Sequence, residues 1–389
     1  MPPTRRFHSR LHALARPRAR ALPVALLLLA AMAGLAPPQA ATAARRGWGG
    51  PGFIGSRSLV SNGDPAKRIS IVLLGDGYTA AELPRYRGQA AAVWRALTQV
   101  EPFHSYQHFF DVTRLDLVSP QSGIRTGSPL GMHFGCDGIA RLLCADAQAV
   151  GRYTGGSGGQ YVVALANSDS YGGEGGDGMA TLSAGSPDAA RIVQHEFGHS
   201  IGALGDEYDA APPDADYPNL SSEDAATMRR EQLKWWRWLG AADPTGGTVG
   251  AYPSGNGLYR PTRDSIMRTL GGVYNLPSRE ALIEAFYRQV RPVDRTDPAP
   301  GVVSGGRTLQ VFPVPLVGPR QLAASWTVDG RTAPARAVRG DRLDASRLGL
   351  TAGQWAVVRA TVEDTTPWLR DEAFRRSRMT QTVSWAVHA

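Results

Sequence analysis

The sequence lacks several features that would place it in a familiar class of protein. Only two of its 389 residues are cysteine, and no nearby pair completes the four ligands of a structural zinc site. The apolar run at residues 21–36 falls short of the ~20 residues that span a membrane. The glycine-rich segment 167–178 has neither the pattern of a phosphate-binding loop nor the spacing of an EF-hand. These absences argue against a cysteine-rich zinc module, a membrane-spanning chain, and a nucleotide or calcium loop at that segment.

The first 43 residues are typical of a secretory signal peptide. Six arginines precede the apolar run, and Ala41-Thr42-Ala43 fits an A-x-A cleavage site. We expect residues 1–43 to be removed, which leaves a secreted or periplasmic protein without stable membrane association. The formal net charge of +8 then falls to +2, because the six arginines leave with no acidic residue. The high overall charge therefore does not indicate a nucleic-acid partner.

The two cysteines, Cys136 and Cys144, are eight residues apart. In an exported chain this spacing predicts a small loop closed by a disulfide, because the compartment is oxidising. The alternative is a pair of free, buried thiols. Spacing alone does not decide between them, since a disulfide also requires suitable geometry.

Strand-like and helical segments alternate over the first half of the chain. Ile69–Leu74, Phe109–Leu117 and Tyr161–Ala166 have the composition of strands, and Thr79 begins a capping box that predicts a helix. This alternation predicts an α/β (α+β) domain with a mixed sheet. We predict Met179–Ala184 as an edge strand of that sheet, where an extended peptide would pair.

One helix, predicted over Pro187–Leu204, carries the densest group of candidate functional residues. It contains the run His-Glu-Phe-Gly-His at residues 195–199, in which His195 and His199 lie on the same helical face. That spacing suits two imidazole ligands of one zinc ion, and the adjacent Glu196 can take a proton from a zinc-bound water. An H-E-x-x-H helix is a signature of zinc metalloproteases.

A catalytic zinc site needs a third protein ligand, and two acidic residues follow the helix. If the helix continued, Asp206 would lie about 10 Å beyond His199, too far to share a metal ion. We therefore expect the chain to turn back at the glycine-containing residues 202–205. Either Asp206 or Glu207 then supplies the third ligand. The next residue, Tyr208, either donates a hydrogen bond to the oxyanion of the reaction or has a structural role.

A second motif, Ser265-Ile266-Met267, follows the helix by some sixty residues. A tight turn that ends in methionine beneath a zinc site belongs to the metzincin pattern. Met267 would form a floor under the histidines rather than bind the metal, because a thioether sulfur suits softer metals. The motif therefore predicts a metzincin-like zinc-peptidase domain around the active-site helix.

The character of the sequence changes after this domain. Residues 292–300 are rich in proline and polar residues and are predicted to form a linker. Beyond them, short alternating runs separated by turns predict a small all-β sandwich of the immunoglobulin-like kind. The predicted domains of the mature chain are thus a catalytic domain at residues 44–295 and an accessory β-sandwich at residues 301–389.

The motifs together resemble a known family. Residues 195–208, His-Glu-Phe-Gly-His-Ser-Ile-Gly-Ala-Leu-Gly-Asp-Glu-Tyr, resemble the bacterial IgA-peptidase family of zinc metallopeptidases, metallopeptidase family 64. The resemblance extends to residues 76–78, 167–173, 259–261 and 267–268, and so along most of the mature chain.

This resemblance implies one zinc ion per chain, bound by His195 and His199, with Glu196 as the base. It points to Asp206 as the third ligand. The third histidine of the metzincins would fall at Gly205, so the chain departs from their pattern at that position. The family name does not imply that immunoglobulin is the substrate.

The sequence thus predicts a secreted zinc endopeptidase that acts on protein or peptide substrates. Two alternatives stay open. An amidase acting on cell-wall peptides would use the same water chemistry. A binding protein would recognise its partner through the predicted β-sandwich, but such a protein would have no need of Glu196.

Overall fold

The computed structural model describes residues 49–155, 160–208 and 216–389. These residues belong to one compact unit. The predicted signal peptide, residues 1–43, lies outside the described residues. Within the three described ranges, no helix combines the length and the hydropathy that crossing a membrane requires.

A mixed six-stranded sheet frames the first part of the chain. Its strands and those of two short hairpins are β1 (Phe53–Val60), β2 (Ile69–Asp76), β3 (Phe110–Leu117), β4 (His133–Phe134), β5 (Leu143–Cys144), β6 (Gln160–Ala166), β7 (Gly173–Gly176), β8 (Met179–Ser183), β9 (Tyr252–Pro253) and β10 (Tyr259–Arg260). The large sheet has the order β1-β3-β2-β6-β8-β7, and only its outer strands, β1 and β7, run antiparallel to their neighbours. β2 is almost entirely buried, as its continuous apolar sequence requires. The predicted mixed sheet is confirmed.

The helices of this part are α1 (Leu83–Leu97), α2 (Ala147–Thr154), α3 (Ala189–Gly202), α4 (Ala225–Glu231) and α5 (Leu276–Gln289). The predicted capping box precedes α1, where the Thr79 N–H donates to the Glu82 carboxylate at 2.9 Å. α3 packs against α1, α5, β7 and β8. Phe103 joins this core, with its ring centroid 6.0 Å from that of Phe197 on α3 and 5.3 Å from that of Phe286 on α5. The helix that carries His195 and His199 is therefore held on several sides.

The edge of the sheet beside α3 differs from the prediction. β8 lies between β6 and β7, so the prediction of an edge strand at residues 179–184 is wrong. The edge strand is β7, which lies within the glycine-rich segment. Glycine is generally depleted in strands. Here the absence of side chains at the glycines allows α3 to lie close to β7. A Cβ atom at Gly175 would lie 2.5 Å from the carbonyl oxygen of Glu196.

Two further sheets make up the C-terminal part. Their strands are β11 (Val293–Asp297), β12 (Val302–Ser304), β13 (Thr308–Pro313), β14 (Ala324–Val328), β15 (Arg331–Thr332), β16 (Val338–Arg339), β17 (Arg342–Asp344), β18 (Trp355–Glu363) and β19 (Thr380–His388), with the short helix α6 (Glu372–Phe374) before β19. The strand orders are β11-β13-β17-β16 and β12-β19-β18-β14-β15. The prediction of a linker at residues 292–300 is wrong, because β11 lies there and Pro292 and Pro298 flank the strand rather than interrupt it. The division into two domains stays a prediction.

A buried carboxylate joins the C-terminal strands to the first part of the chain. Asp364, directly after β18, is fully buried and accepts hydrogen bonds from the hydroxyls of Tyr106, at 2.5 Å, and Tyr287, at 2.8 Å. Arg320 forms an ion pair with the same carboxylate. Removing one partner of such a buried group costs about 3–5 kcal/mol. The C-terminal sheets are thus tied firmly to α5.

Candidate active site

The two histidines of α3 converge as their helical spacing predicts. His195 and His199 lie one turn apart, and their Nε2 atoms are 3.1 Å from each other. Both side chains are largely buried yet line the same cleft. At this distance one ring could donate to the other, so the role of each Nε2 depends on which nitrogen of its ring carries the proton.

The chain reverses directly after α3. Ala203 adopts a left-handed conformation, with a φ of 50°, and its N–H bonds to the His199 carbonyl at 3.1 Å. The next N–H, from Leu204, bonds back to the Gly198 carbonyl at 3.1 Å. This pair of bonds is the usual way in which a helix ends before a reversal. The turn expected at residues 202–205 therefore occurs at Ala203.

The reversal brings Asp206 onto the two histidines. Asp206 Oδ1 lies 3.1 Å from His195 Nε2 and 3.2 Å from His199 Nε2. With the 3.1 Å between the two nitrogens, the three atoms form a nearly equilateral triangle. We call these three residues the His–His–Asp triangle.

Backbone carbonyls fix which nitrogen of each imidazole carries the proton. His195 Nδ1 lies 2.9 Å from the Ile266 carbonyl oxygen, and His199 Nδ1 lies 2.6 Å from the Leu204 carbonyl oxygen. A carbonyl only accepts, so each Nδ1 donates and each neutral ring presents a lone pair at Nε2. Three acceptors therefore face one another, and Asp206 Oδ1 is buried with no hydrogen-bond donor among the described residues. A positive charge between them would satisfy all three.

The triangle fits one metal ion. Ligand atoms bound tetrahedrally at about 2.0–2.1 Å lie about 3.3 Å from one another, close to the 3.1–3.2 Å observed here. Two imidazoles and one carboxylate are also the ligand types of many hydrolytic zinc sites. In such sites the second nitrogen of each histidine usually bonds to a carbonyl or carboxylate, as it does here.

Glu207 points away from the triangle into a closed polar cluster. Its Oε1 accepts hydrogen bonds from the side-chain amides of Asn219, at 3.0 Å, and Asn275, at 2.9 Å. Its Oε2 accepts one from the Ser265 hydroxyl at 2.7 Å. Burial raises the pKa of the Glu207 carboxyl despite these three bonds. We call these four residues the Glu207 cluster; its carboxylate takes no part in the triangle.

Met267 lies beneath α3. A Cβ atom at Gly198 would lie 2.5 Å from Met267 Sδ, so the thioether packs directly against the helix at the turn that carries the histidines. The Met267 carbonyl accepts a 2.9 Å hydrogen bond from the Glu207 N–H, and the preceding residue, Ile266, supplies the carbonyl that orients His195. The turn at residues 265–267 thus supports both the helix and the segment that carries Asp206.

Glu196 lies beside the triangle and faces β7. Its carboxylate is buried against the strand: a Cβ atom at Gly173 would lie 3.3 Å from Oε1, and one at Gly175 would lie 2.8 Å from Oε2. Burial raises the pKa of the Glu196 carboxyl above its usual value. A carboxyl group with a raised pKa in a cleft is suited to proton transfer.

Tyr208 borders the triangle on the side of Asp206. Its ring stacks on that of His195, with 6.5 Å between centroids and 19° between planes. Its hydroxyl accepts a 3.3 Å hydrogen bond from Arg141 Nη2. Burial, and then the neighbouring Asp206 carboxylate, raise the pKa of Tyr208. The hydroxyl therefore keeps its proton at neutral pH and can donate a hydrogen bond, for which Asp206 is one acceptor.

A disulfide joins Cys136 and Cys144, whose Cα atoms are 6.2 Å apart. The enclosed loop carries Arg141 and Leu142, which line the active-site cleft of about 350 Å³. The two sulfurs and Glu174 form a second group of metal-ligating types, but the disulfide leaves no thiolate there. Sequence reasoning did not identify Arg141; its position inside the predicted disulfide loop was the only available signal.

Comparison with known proteins supplies a family for this arrangement. Residues 58–248 match the sequence model of the family described as IgA Peptidase M64. The matched region contains α3 and the whole His–His–Asp triangle and ends before the Met267 turn. Among curated proteins, none matches the chain. The chain belongs to the IgA Peptidase M64 family and is a peptidase.

Proposed function

We propose that the protein is an exported zinc-dependent endopeptidase with one zinc ion per chain. The observation that carries this proposal is the His–His–Asp triangle, in which three acceptors lie within 3.2 Å of one another and Asp206 Oδ1 has no donor among the described residues. The signal-peptide pattern of residues 1–43 supports secretion or periplasmic location. The substrate class is protein or peptide, as the family implies.

His195, His199 and Asp206 would hold the zinc ion. When bound, zinc supplies Lewis-acid chemistry, since it polarises a carbonyl group and lowers the pKa of a water ligand toward about 7. Glu196 accepts a proton from the attacking water and delivers it to the departing amine nitrogen. Tyr208 donates a hydrogen bond toward the oxyanion, or keeps Asp206 in place.

Strand β7 would orient the substrate. Among the described strands, β7 pairs with β8 alone, so its other edge is available next to Glu196. An extended peptide that adds to this edge through main-chain hydrogen bonds would pass the reactive carboxylate. This mode of binding suits an endopeptidase, because the strand recognises backbone rather than a chain terminus.

The finer architecture is also part of the proposal. We infer a metzincin-like catalytic domain, because Met267 packs beneath the helix that carries both histidines. We infer an immunoglobulin-like sandwich for residues 301–389, supported by the two sheets of the C-terminal part.

The substitution Glu196→Gln tests the mechanism. The mature wild-type chain should bind one zinc ion and cleave casein in a chelator-sensitive manner. The variant should keep one zinc per chain, while kcat/KM falls by about 10³-fold, because general acid–base catalysis contributes about 10²–10⁴-fold. Glu231→Gln, on the exposed end of α4, is the matched control.

Three outcomes would contradict the proposal. Undiminished hydrolysis by zinc-loaded Glu196→Gln protein would remove the proposed base. Zinc binding without cleavage of any peptide would favour a binding protein. Cleavage of cell-wall peptides, with no cleavage of proteins, would favour the amidase.

A further inference from the structure

A second pocket lies in the C-terminal part, outside the active-site cleft. We propose that it binds an anionic group of the phosphate-ester or sulfate-ester type. The pocket has a volume of about 210 Å³, and its polar lining consists of Thr308, Arg336, Arg339, Arg342, Asp344 and Arg347. Residues 301–389 contain twelve arginines, no lysine and seven acidic residues, so the surroundings also attract anions.

Two of the four arginines face each other across a hairpin. Arg339 on β16 and Arg342 on β17 are directly paired residues of antiparallel strands. Such pairs place their side chains on one face with Cβ atoms about 4.5–5.5 Å apart, and like charges there repel each other. Neither guanidinium has a hydrogen bond or ion pair with any other described residue. A bound anion would remove this repulsion.

The other charged groups of the pocket already have partners within the protein. Asp344 accepts hydrogen bonds from the Ser346 N–H and hydroxyl, at 3.1 and 2.6 Å, and forms a 3.0 Å ion pair with Arg347. Arg336 Nε donates to the Arg347 carbonyl at 3.0 Å. The only carboxylate of the pocket is therefore occupied, and Arg339 and Arg342 are left for a ligand.

The hairpin is held in place before any ligand binds. The Gly340 carbonyl accepts a 3.1 Å hydrogen bond from the indole of Trp326, and Asp341 Oδ1 accepts one from the Ala324 N–H at 2.9 Å. Leu343, on the opposite face to Arg342, is fully buried. Fixed backbones reduce the entropy lost on binding. Paired guanidinium groups match the oxygens of phosphate and sulfate groups.

The test is calorimetric titration of the full mature chain with a heparin oligosaccharide and, separately, with a short polyphosphate, at constant ionic strength. Arg339→Ala/Arg342→Ala should weaken binding at least tenfold. Arg331→Ala/Arg359→Ala removes the same charge from exposed positions outside the pocket and should change the affinity less than threefold. Tighter binding of heparin identifies a sulfate group as the ligand, and tighter binding of polyphosphate identifies a phosphate group.

Thermal unfolding supplies an independent readout. Inorganic sulfate or phosphate should raise the unfolding midpoint of the wild type and of the control, but not that of the pocket variant. The rate of cleavage of a short peptide should be the same in the wild type, the pocket variant and the control variant. Failure of the anion-site proposal can therefore be told apart from failure of the proposed peptidase mechanism. Equal loss of binding in both double variants, or no binding of either probe by the wild type, would overturn the proposal.

Discussion

Two polar clusters in this protein begin at adjacent residues and are built in opposite ways. The His–His–Asp triangle brings three acceptors together and leaves the Asp206 oxygen without a donor. The Glu207 cluster surrounds one buried carboxylate with three donors. Unpaired buried polar groups are costly, whereas satisfied ones stabilise a unique fold. We therefore infer that Asp206 is kept for a cation, as the proposed function requires, and Glu207 for the fold.

Asp206→Asn should give the largest effect and alter function alone. An amide in place of the carboxylate should weaken zinc binding by more than the 10–100-fold typical of residues that only support a ligand. At fixed zinc concentration, kcat/KM should fall by about 10³-fold or more. The unfolding midpoint of the chelated protein should not fall, because Asp206 Oδ1 has no donor among the described residues when the ion is removed. Competitive zinc titration measures the loss of zinc affinity. Calorimetry in the presence of chelator measures the unfolding midpoint. A large fall in the unfolding midpoint of Asp206→Asn in chelator would show that Asp206 stabilises the fold, as Glu207 does.

Glu207→Ala should alter stability instead. The substitution leaves the side-chain amides of Asn219 and Asn275 and the Ser265 hydroxyl buried without their acceptor, which should cost about 3–5 kcal/mol. Urea unfolding of the chelated protein measures this loss. Glu231→Ala, at an exposed position, should change stability by less than about 0.5 kcal/mol. Loss of zinc from folded Glu207→Ala protein, with stability retained, would show that the two roles were assigned the wrong way round.

Residue spacing alone could not distinguish these neighbouring carboxylates, although the family resemblance pointed to Asp206. The histidines could be predicted from the sequence, because the spacing of residues on a helix is local and regular. The same holds for the capping box at Thr79 and for the proximity of the two cysteines. The donors to Glu207 come from residues 12, 58 and 68 positions further along the chain. Only the tertiary fold brings them together, so residue spacing alone left Glu207 open as an alternative to Asp206.

Strand β7 could not be predicted for a different reason. Its sequence, Gly-Glu-Gly-Gly, has low strand propensity and no alternation of apolar residues. It forms because β8 supplies hydrogen-bond partners and because α3 lies too close for side chains at residues 173 and 175. Close contact, rather than local preference, decides the structure here.

Gly175→Ala tests whether the close approach of β7 to Glu196 matters for activity. We expect an effect of intermediate size. The added Cβ atom would lie 2.5 Å from the Glu196 carbonyl oxygen and 2.8 Å from its Oε2, so β7 and the base must move apart. A displacement of about 1 Å can cost about 10²-fold in rate. We expect kcat/KM to fall by about 10–100-fold with zinc content unchanged. Gly176→Ala, which meets no atom within 4 Å, is the control and should retain activity. Equal activity of the two variants would contradict the assigned role of β7.

Glu284 on α5 is a partly buried carboxylate of a third kind and should give the smallest effect. Burial, then Glu280 and to a smaller extent Asp371, raise the pKa of Glu284 to about 7. Arg288 and Arg237 oppose this increase but do not cancel it. Because the folded-state pKa exceeds the unfolded one, the wild type should lose stability as the pH rises from about 4.5 to 7. Glu284→Gln should remove that loss and be more stable at pH 8 by about 1–2 kcal/mol, but not at pH 4. Urea unfolding of the chelated wild type and variant at pH 4 and at pH 8 checks this prediction. An equal difference in stability between the two proteins at both pH values would contradict the raised pKa of Glu284.

The most direct test of the central claim is zinc K-edge X-ray absorption on the mature chain purified with its metal. The His–His–Asp triangle predicts nitrogen and oxygen neighbours at about 2.0–2.1 Å and the outer-shell scattering of two imidazoles. Sulfur neighbours at about 2.3 Å would instead place the metal at Cys136, Cys144 and Glu174, the second group of ligand types in the described structure. That result, or a chain that binds no zinc, would contradict the account.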